Sequence, residues 1–131
     1  MPKKLTIVLF SGYQENEDAI FTVMLAEAAL GKGYHVNLFL FGNACQMSKK
    51  EKPVPNLHIT EKLLQHINTG KIGGRLEHLA RMGARIATCH TTEYGRGVEA
   101  EEYRDGIEWG DVGQTLVNFL LTSDVLITMG H

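Results

Sequence analysis

In the N-terminal third of the chain, two apolar runs typical of strands flank one stretch typical of a helix. Residues 5–10 form a continuous apolar, β-branched run that ends at a Ser-Gly pair, which is typical of a strand buried on both faces of a parallel sheet. Asn16 can then cap a helix over residues 19–30 that is apolar around most of its circumference. Residues 34–41 predict a second strand and hence a right-handed β-α-β unit. Because this helix is apolar around most of its circumference and the chain is short, we also expect it to form part of a subunit interface.

A long, weakly patterned connection follows the second strand. We predict that residues 42–58 are irregular, with an exposed and mobile centre at residues 49–55, where lysines and prolines interrupt any regular element. A short helix over residues 60–67, a glycine-containing break over 68–74 and a further helical piece over 75–82 complete this part of the chain.

The second half of the chain contains further short elements of both kinds. Residues 84–88 and 125–129 have the pattern of buried strands, a short strand is expected around Ile107, and Asp111 can cap a helix that runs to residue 121. This alternation predicts an α/β fold in which helices lie on both faces of a mostly parallel sheet. A chain of 131 residues with 44% apolar residues supports one core, so we expect a single domain over residues 1–131.

Charge and composition narrow the class of partner. Thirteen basic and fifteen acidic residues leave a net charge of -2, which gives no electrostatic reason to expect nucleic acid or an anionic membrane. The basic N-terminus precedes too short an apolar stretch for a signal peptide, and no segment is long enough to span a bilayer. We therefore expect a cytoplasmic protein, whose two cysteines are free thiols rather than a structural disulfide.

Both cysteines follow predicted strands. In parallel α/β sheets the loops at the carboxyl ends of the strands carry function, and here those loops are residues 11–15, 42–45 and 89–97. Cys45 lacks a glycine-framed turn and a neighbouring histidine or arginine, so a packing role is favoured over a second reactive thiol. A disulfide between Cys45 and Cys89 would need their Cα atoms within about 7 Å.

Cys89 has the more informative surroundings. It lies between a strand and a helical turn, where the free backbone N–H groups of Thr91 and Thr92 favour a thiolate. His90 and Arg96 are candidate cations that would lower the pKa of the thiol further. A buried cysteine that acts only as a small hydrophobe fits the same pattern, so the residues alone leave both interpretations open.

Metal and cofactor sites find little support in the sequence. The six histidines show no two-ligand spacing such as HExxH, and there is no CxxC pair. The glycine-containing segments at residues 31–33 and 70–74 lack the spacing or the preceding strand of a phosphate-binding loop. We therefore expect no metal and no organic cofactor, and keep a nucleotide or flavin binder as a minor alternative.

The segment CHTTEYGRG at residues 89–97 resembles the cysteine loop of DsrE/DsrF/TusD-like sulfur-relay proteins, with the YchN-like branch as the nearest match. The resemblance continues through RDGIEWG at 104–110 and TSDVLIT at 122–128. It implies a DsrE/F-like fold and a persulfide carried on Cys89, which would make the protein a sulfurtransferase-like carrier. The supporting loop residues would be His90, Thr91, Thr92, Gly95, Arg96 and Gly97.

The resemblance also implies partners. Sulfur-donor and sulfur-acceptor proteins would bind, and the chain would form a homo-oligomer, a trimer or hexamer. The YchN-like loop has a second cysteine where this chain has Thr92, so Cys45 is the one possible second thiol. The alternative is a non-catalytic oligomeric scaffold subunit with the same fold. The donor, the acceptor and the pathway, whether tRNA thiolation or sulfur oxidation, stay open.

Overall fold

A parallel sheet organises the part of the chain that the computed structural model describes, residues 2–12, 16–50, 70–98 and 100–130. Within these residues the sheet has five strands in the order β4-β3-β2-β1-β5, and each neighbouring pair is parallel. The strands are β1 Lys4–Leu9, β2 His35–Leu40, β3 Arg85–Cys89, β4 Ile107–Gly110 and β5 Val125–Met129.

Helices cover both faces of this sheet. Because side chains alternate along a strand, Ile7 of β1 belongs to the core beneath the first two helices, whereas the next residue, Val8, packs on the opposite face with Phe119. The first core lies beneath α1 (Asn16–Gly31) and α2 (Gly70–Arg81), and the second lies beneath α4 (Val117–Thr122). A five-residue helix, α3 (His90–Tyr94), directly follows β3. The predicted α/β fold class is confirmed.

The strands lie where apolar runs predicted them. Each observed strand agrees with its predicted range to within about a residue at either end, and the short strand expected around Ile107 is β4. The Asp111 cap is also confirmed, because its Oδ1 accepts hydrogen bonds from the backbone N–H groups of Gln114 at 2.7 Å and Thr115 at 3.1 Å. A π-helical turn, Val112–Leu116, then leads into α4.

The connection after β2 is more regular than its sequence indicates. We predicted an irregular segment over residues 42–58, but Gly42–Ser48 forms a 3₁₀ helix. Ala44, Cys45 and Met47 are buried in this segment, so packing against the sheet holds a conformation that residue propensity alone does not favour. The predicted exposed centre beyond Lys50 and the predicted helix at 60–67 lie outside the described residues.

Helix α2 also differs from its prediction. The break expected over residues 68–74 is wrong for Gly70 to Gly74, which belong to the helix. Each glycine costs a helix about 1 kcal/mol relative to alanine. The buried side chains of Leu76 and Leu79, which pack in the first core, offset this cost through tertiary contacts.

The apolar circumference of α1 divides between core and surface. Val23 and Ala26 are buried against the sheet, whereas Phe21 and Met24 are exposed. The subunit interface predicted from this helix stays a prediction. Among the described residues no helix has the length and apolar character needed to cross a membrane.

The turn before β4 approaches helix α2 closely at Gly106. Substitutions at Gly106 and at Gly33, which has the same φ, can test this approach. Gly106 and Gly33 both have φ of 87°, but a Cβ on Gly106 would lie 2.4 Å from the Ala80 Cβ, whereas one on Gly33 would meet nothing within 4 Å. We expect Gly33→Ala to lower the free energy of unfolding by about 1 kcal/mol. Gly106→Ala should cost roughly 1–3 kcal/mol more, because the clash adds to the same backbone strain. Urea denaturation measures both, and equal losses would contradict the proposed packing.

Candidate functional site

The two cysteines meet at the carboxyl edge of the sheet. Strands β2 and β3 are neighbours with Leu40 paired to Thr88, so both strands end at the same level. Cys89 is the last residue of β3, and Cys45 lies on the 3₁₀ segment that follows β2. The parallel topology therefore brings the two predicted thiols to one place.

Cys45 is buried and surrounded by polar atoms of its neighbours. Its Sγ lies 3.4 Å from the carbonyl oxygen of Leu40, 3.5 Å from that of Cys89 and 3.1 Å from Oγ1 of Thr92. Burial raises the pKa of the Cys45 thiol, and its hydrogen bonds offset part of this effect. Cys45 therefore keeps its proton at neutral pH and donates it to a neighbouring acceptor.

Cys89 occupies the predicted position but is only 1% exposed. It is the N-cap residue of α3, and its side chain makes no capping hydrogen bond. The side chain instead packs in the second core, with Val8, Phe39, Cys45, Ala87 and Phe119. Stabilisation of a Cys89 thiolate by the N–H groups of Thr91 and Thr92 stays a prediction.

Thr92 connects the cysteine loop to the 3₁₀ segment. Its Oγ1 accepts a hydrogen bond from the backbone N–H of Gly42 at 3.1 Å and donates to the carbonyl oxygen of Cys89 at 3.3 Å. The same oxygen contacts the Cys45 sulfur. Thr92 therefore contacts both cysteines of this chain, and it occupies the position at which the YchN-like loop has its second cysteine.

Arg96 and Lys49 add two further connections between these segments. Arg96 Nε donates to Oδ1 of Asn43 at 3.2 Å, and one of its terminal nitrogens donates to the carbonyl oxygen of Thr92 at 3.2 Å. Lys49 donates to the carbonyl oxygen of Gly97 at 3.0 Å. Gly95 caps α3, and Gly97 has a φ of 69°, which suits the turn that ends the predicted loop.

His90 is held against strand β4. Its Nδ1 lies 2.9 Å from the carbonyl oxygen of Gly110, so this nitrogen carries the proton. The ring stacks on Trp109 with centroids 4.1 Å apart, and Trp109 itself is 54% exposed. An exposed aromatic ring therefore lies next to the cysteine loop, while a direct effect of His90 or Arg96 on Cys89 stays a prediction.

A buried pair that the sequence did not reveal lies beneath the loop. Glu93 is only 4% exposed; Tyr103 donates a hydrogen bond to its Oε1, and its Oε2 has no hydrogen-bond partner among the described residues. Burial raises the pKa of Glu93, and burial together with Glu93 raises the pKa of Tyr103. The raised pKa of Glu93 increases the fraction of its neutral form, which opposes a Cys89 thiolate less than the carboxylate does. The sequence carried no signal for this pair, because no shared spacing or pattern connects Glu93 with Tyr103.

Thiols, a carboxyl group and a hydroxyl are among the polar groups at this edge. In the described part of the chain, no group of three or more histidine, cysteine, aspartate and glutamate residues could hold a metal ion. Two buried thiols, a carboxyl group of raised pKa and a tyrosine hydroxyl make a site suited to thiol exchange, in which access and thiolate fraction govern the rate.

Comparison with known proteins decides the family. The sequence profile of the DsrE/DsrF-like family matches residues 3–129. The chain belongs to the DsrE/DsrF-like family. A search of curated proteins gives no significant match.

Solved structures share the fold of this family member. The ychN protein from E. coli is 19% identical with a TM-score of 0.62, covering 98% of this chain and 99% of its own. MTH1491 from Methanobacterium thermoautotrophicum, of unknown function, is 9% identical with a TM-score of 0.70, covering 96% and 98%. BT1422 from Bacteroides thetaiotaomicron, also of unknown function, is 22% identical with a TM-score of 0.65, covering 96% and 94%. At these identities the likeness is one of fold.

The contribution of the Thr92 hydroxyl to stability can be tested by comparison with Thr91, an exposed threonine on the same helix. Thr92→Val leaves the Gly42 N–H without its acceptor, so we expect the free energy of unfolding to fall by about 1–3 kcal/mol. Thr91→Val makes the same chemical change at an exposed position and should stay within about 0.5 kcal/mol of wild type. Urea denaturation of both variants gives the difference, and matching stabilities would contradict the connecting role of Thr92.

The buried Glu93 predicts a distinctive dependence of stability on pH. Because its pKa is raised in the folded state, the stability it contributes is fully present below the ordinary glutamate value of about 4.3 and is lost as pH rises through the folded pKa. Glu93→Gln does not titrate, so its free energy of unfolding should rise relative to wild type as pH increases from about 4.3 towards neutrality. Urea denaturation of both proteins at a series of pH values measures this effect. A difference in the free energy of unfolding that does not change with pH would mean that Glu93 has the same pKa in the folded and unfolded states.

Proposed function

We propose that this protein is a sulfur carrier that holds sulfane sulfur as a persulfide on Cys89 and passes it to a partner thiol. The observation that carries the proposal is the position of Cys89 in a DsrE/DsrF-like chain, at the junction between β3 and α3 on the carboxyl edge of the sheet. Loops at this edge are where open α/β sheets carry chemistry.

The proposed reaction is a pair of thiol exchanges without net oxidation. The Cys89 thiolate attacks the outer sulfur of a donor persulfide, the donor S–S bond breaks, and the donor leaves as a thiolate. An acceptor thiolate then attacks the outer sulfur on Cys89 and restores the free cysteine. The N–H groups of Thr91 and Thr92, with His90 and Arg96 nearby, would favour the Cys89 thiolate. The donor and acceptor are cytoplasmic proteins in this account, the carrier is a homo-oligomer, and no cofactor takes part.

The proposed transfer requires that the buried sulfur of Cys89 become accessible to the donor. The side chain is 1% exposed in the second core, so a donor reaches the sulfur only when the cysteine loop opens. Helix α3 has five residues, and hydrogen bonds of Thr92 and Arg96 are among the contacts that hold it against the 3₁₀ segment. Local opening of so short an element costs much less than global unfolding, which makes partner-induced exposure feasible.

The burial of Cys89 is also the observation that favours a second candidate. A non-catalytic scaffold subunit of the same fold would keep this thiol permanently in the core. Alkylation of the native protein separates the two functions. A carrier exposes Cys89 transiently and becomes alkylated while still folded, whereas a scaffold is alkylated only at its rate of global unfolding.

Sulfur loading tests the proposed function directly. Reduced protein is incubated with polysulfide or a persulfidated donor, and intact mass is measured before and after dithiothreitol. We expect wild type to gain a removable sulfur atom and Cys89→Ser to gain none, because the proposed acceptor sulfur is gone.

Cys45→Ser is the matched control for this experiment, since it removes the other buried thiol. It should load sulfur as wild type does, because the first transfer needs only Cys89. If wild type takes up no sulfur while folded, the carrier function is wrong and the scaffold becomes the better account.

A further inference from the structure

The two thiols share one apolar cluster, and the backbone of one touches the sulfur of the other. Cys45 and Cys89 both pack with Val8, Phe39 and Phe119. Cys45 Sγ lies 3.5 Å from the carbonyl oxygen of Cys89, an atom only a few covalent bonds from the Cys89 sulfur. The two side chains therefore belong to one buried cluster on neighbouring segments, which is the arrangement that exchange between their sulfurs requires.

We propose that Cys45 is the resolving thiol of this carrier: it attacks the persulfide on Cys89 when no acceptor arrives, releases sulfide and leaves a Cys45–Cys89 disulfide. This inference rests on the proposed function, because it needs a persulfide on Cys89. It assigns to Cys45 a catalytic role in place of the packing role that its sequence context favoured.

The proposed step balances in atoms and electrons. The Cys45 sulfur bonds to Sγ of Cys89, the S–S bond of the persulfide breaks, and the outer sulfur leaves as hydrosulfide, which takes up the Cys45 proton. The sulfane sulfur gains two electrons, and each cysteine sulfur gives up one. A small dithiol reductant then converts the disulfide back to two thiols and becomes a disulfide itself.

The surroundings of Cys45 make this discharge slower than transfer to a partner. Cys45 donates its proton to carbonyl or hydroxyl oxygens around it, and burial raises the pKa of its thiol, so little thiolate is present. An acceptor that arrives promptly therefore receives the sulfur. A persulfide that waits is converted to free sulfide and an empty, oxidised carrier.

A single-turnover experiment tests the inference. Reduced wild type, Cys45→Ser and Met47→Leu are loaded with polysulfide, desalted and kept without acceptor, while intact mass and trapped sulfide are followed. Met47→Leu is the matched control, because Met47 is buried on the same 3₁₀ segment and carries no thiol. Cys45→Ala serves as a second thiol-free variant that buries no hydroxyl, and circular dichroism checks that all proteins are folded.

The expected outcome differs between the variants. Wild type and Met47→Leu lose the added sulfur as sulfide and finish two hydrogen atoms lighter than the reduced chain, with the disulfide between the Cys45 and Cys89 peptides. Both Cys45 variants should keep the persulfide at least about tenfold longer, since the intramolecular nucleophile is absent.

Two other outcomes would overturn the inference. Equal rates of sulfur loss in wild type and the Cys45 variants, or a wild type that returns to its reduced mass, would leave Cys45 without a role while the carrier function stands. If no protein in the set takes up sulfur, the carrier function fails and the resolving role fails with it.

Discussion

The parallel pairing of β2 with β3 is the constraint on which the site depends. Because Leu40 is level with Thr88, both strands end at the same edge, and the segments that follow them must share the space above the sheet. Cys89 ends one strand, and Cys45 sits on the turn of 3₁₀ helix that leaves the other. A register shift of one residue would send Cys89 to the opposite face and separate the thiols.

The Thr92 hydroxyl makes several of the contacts that hold this arrangement. Thr92 accepts from the Gly42 N–H, donates to the Cys89 carbonyl and contacts the Cys45 sulfur. The loop resembles one that has a cysteine at this position, whereas in this chain the other thiol, Cys45, lies on the segment that follows a neighbouring strand. The same connections also hold the cysteine loop closed over Cys89, so the proposed sulfur transfer requires the short helix α3 to open.

The sequence was sufficient where a single physical signal dominates. Continuous apolar runs predicted the strands, and Asp111 predicted the start of the helical segment that follows it. Both signals are local properties of the chain. The 3₁₀ segment at Gly42–Ser48 and the glycine-rich start of α2 could not be predicted, since packing against distant residues holds them against their own propensities. Likewise, the Glu93–Tyr103 pair is a contact between residues without any shared pattern, so only the fold reveals it.

Locating the transferred sulfur tests the central claim most directly. Wild-type protein is loaded with a persulfidated donor, alkylated at once and digested, and the peptides of both cysteines are analysed for a trapped persulfide. The account predicts the sulfane sulfur on the Cys89 peptide at the earliest time points, before any disulfide with Cys45 accumulates. Sulfur that first appears on Cys45, or on neither peptide, would contradict it.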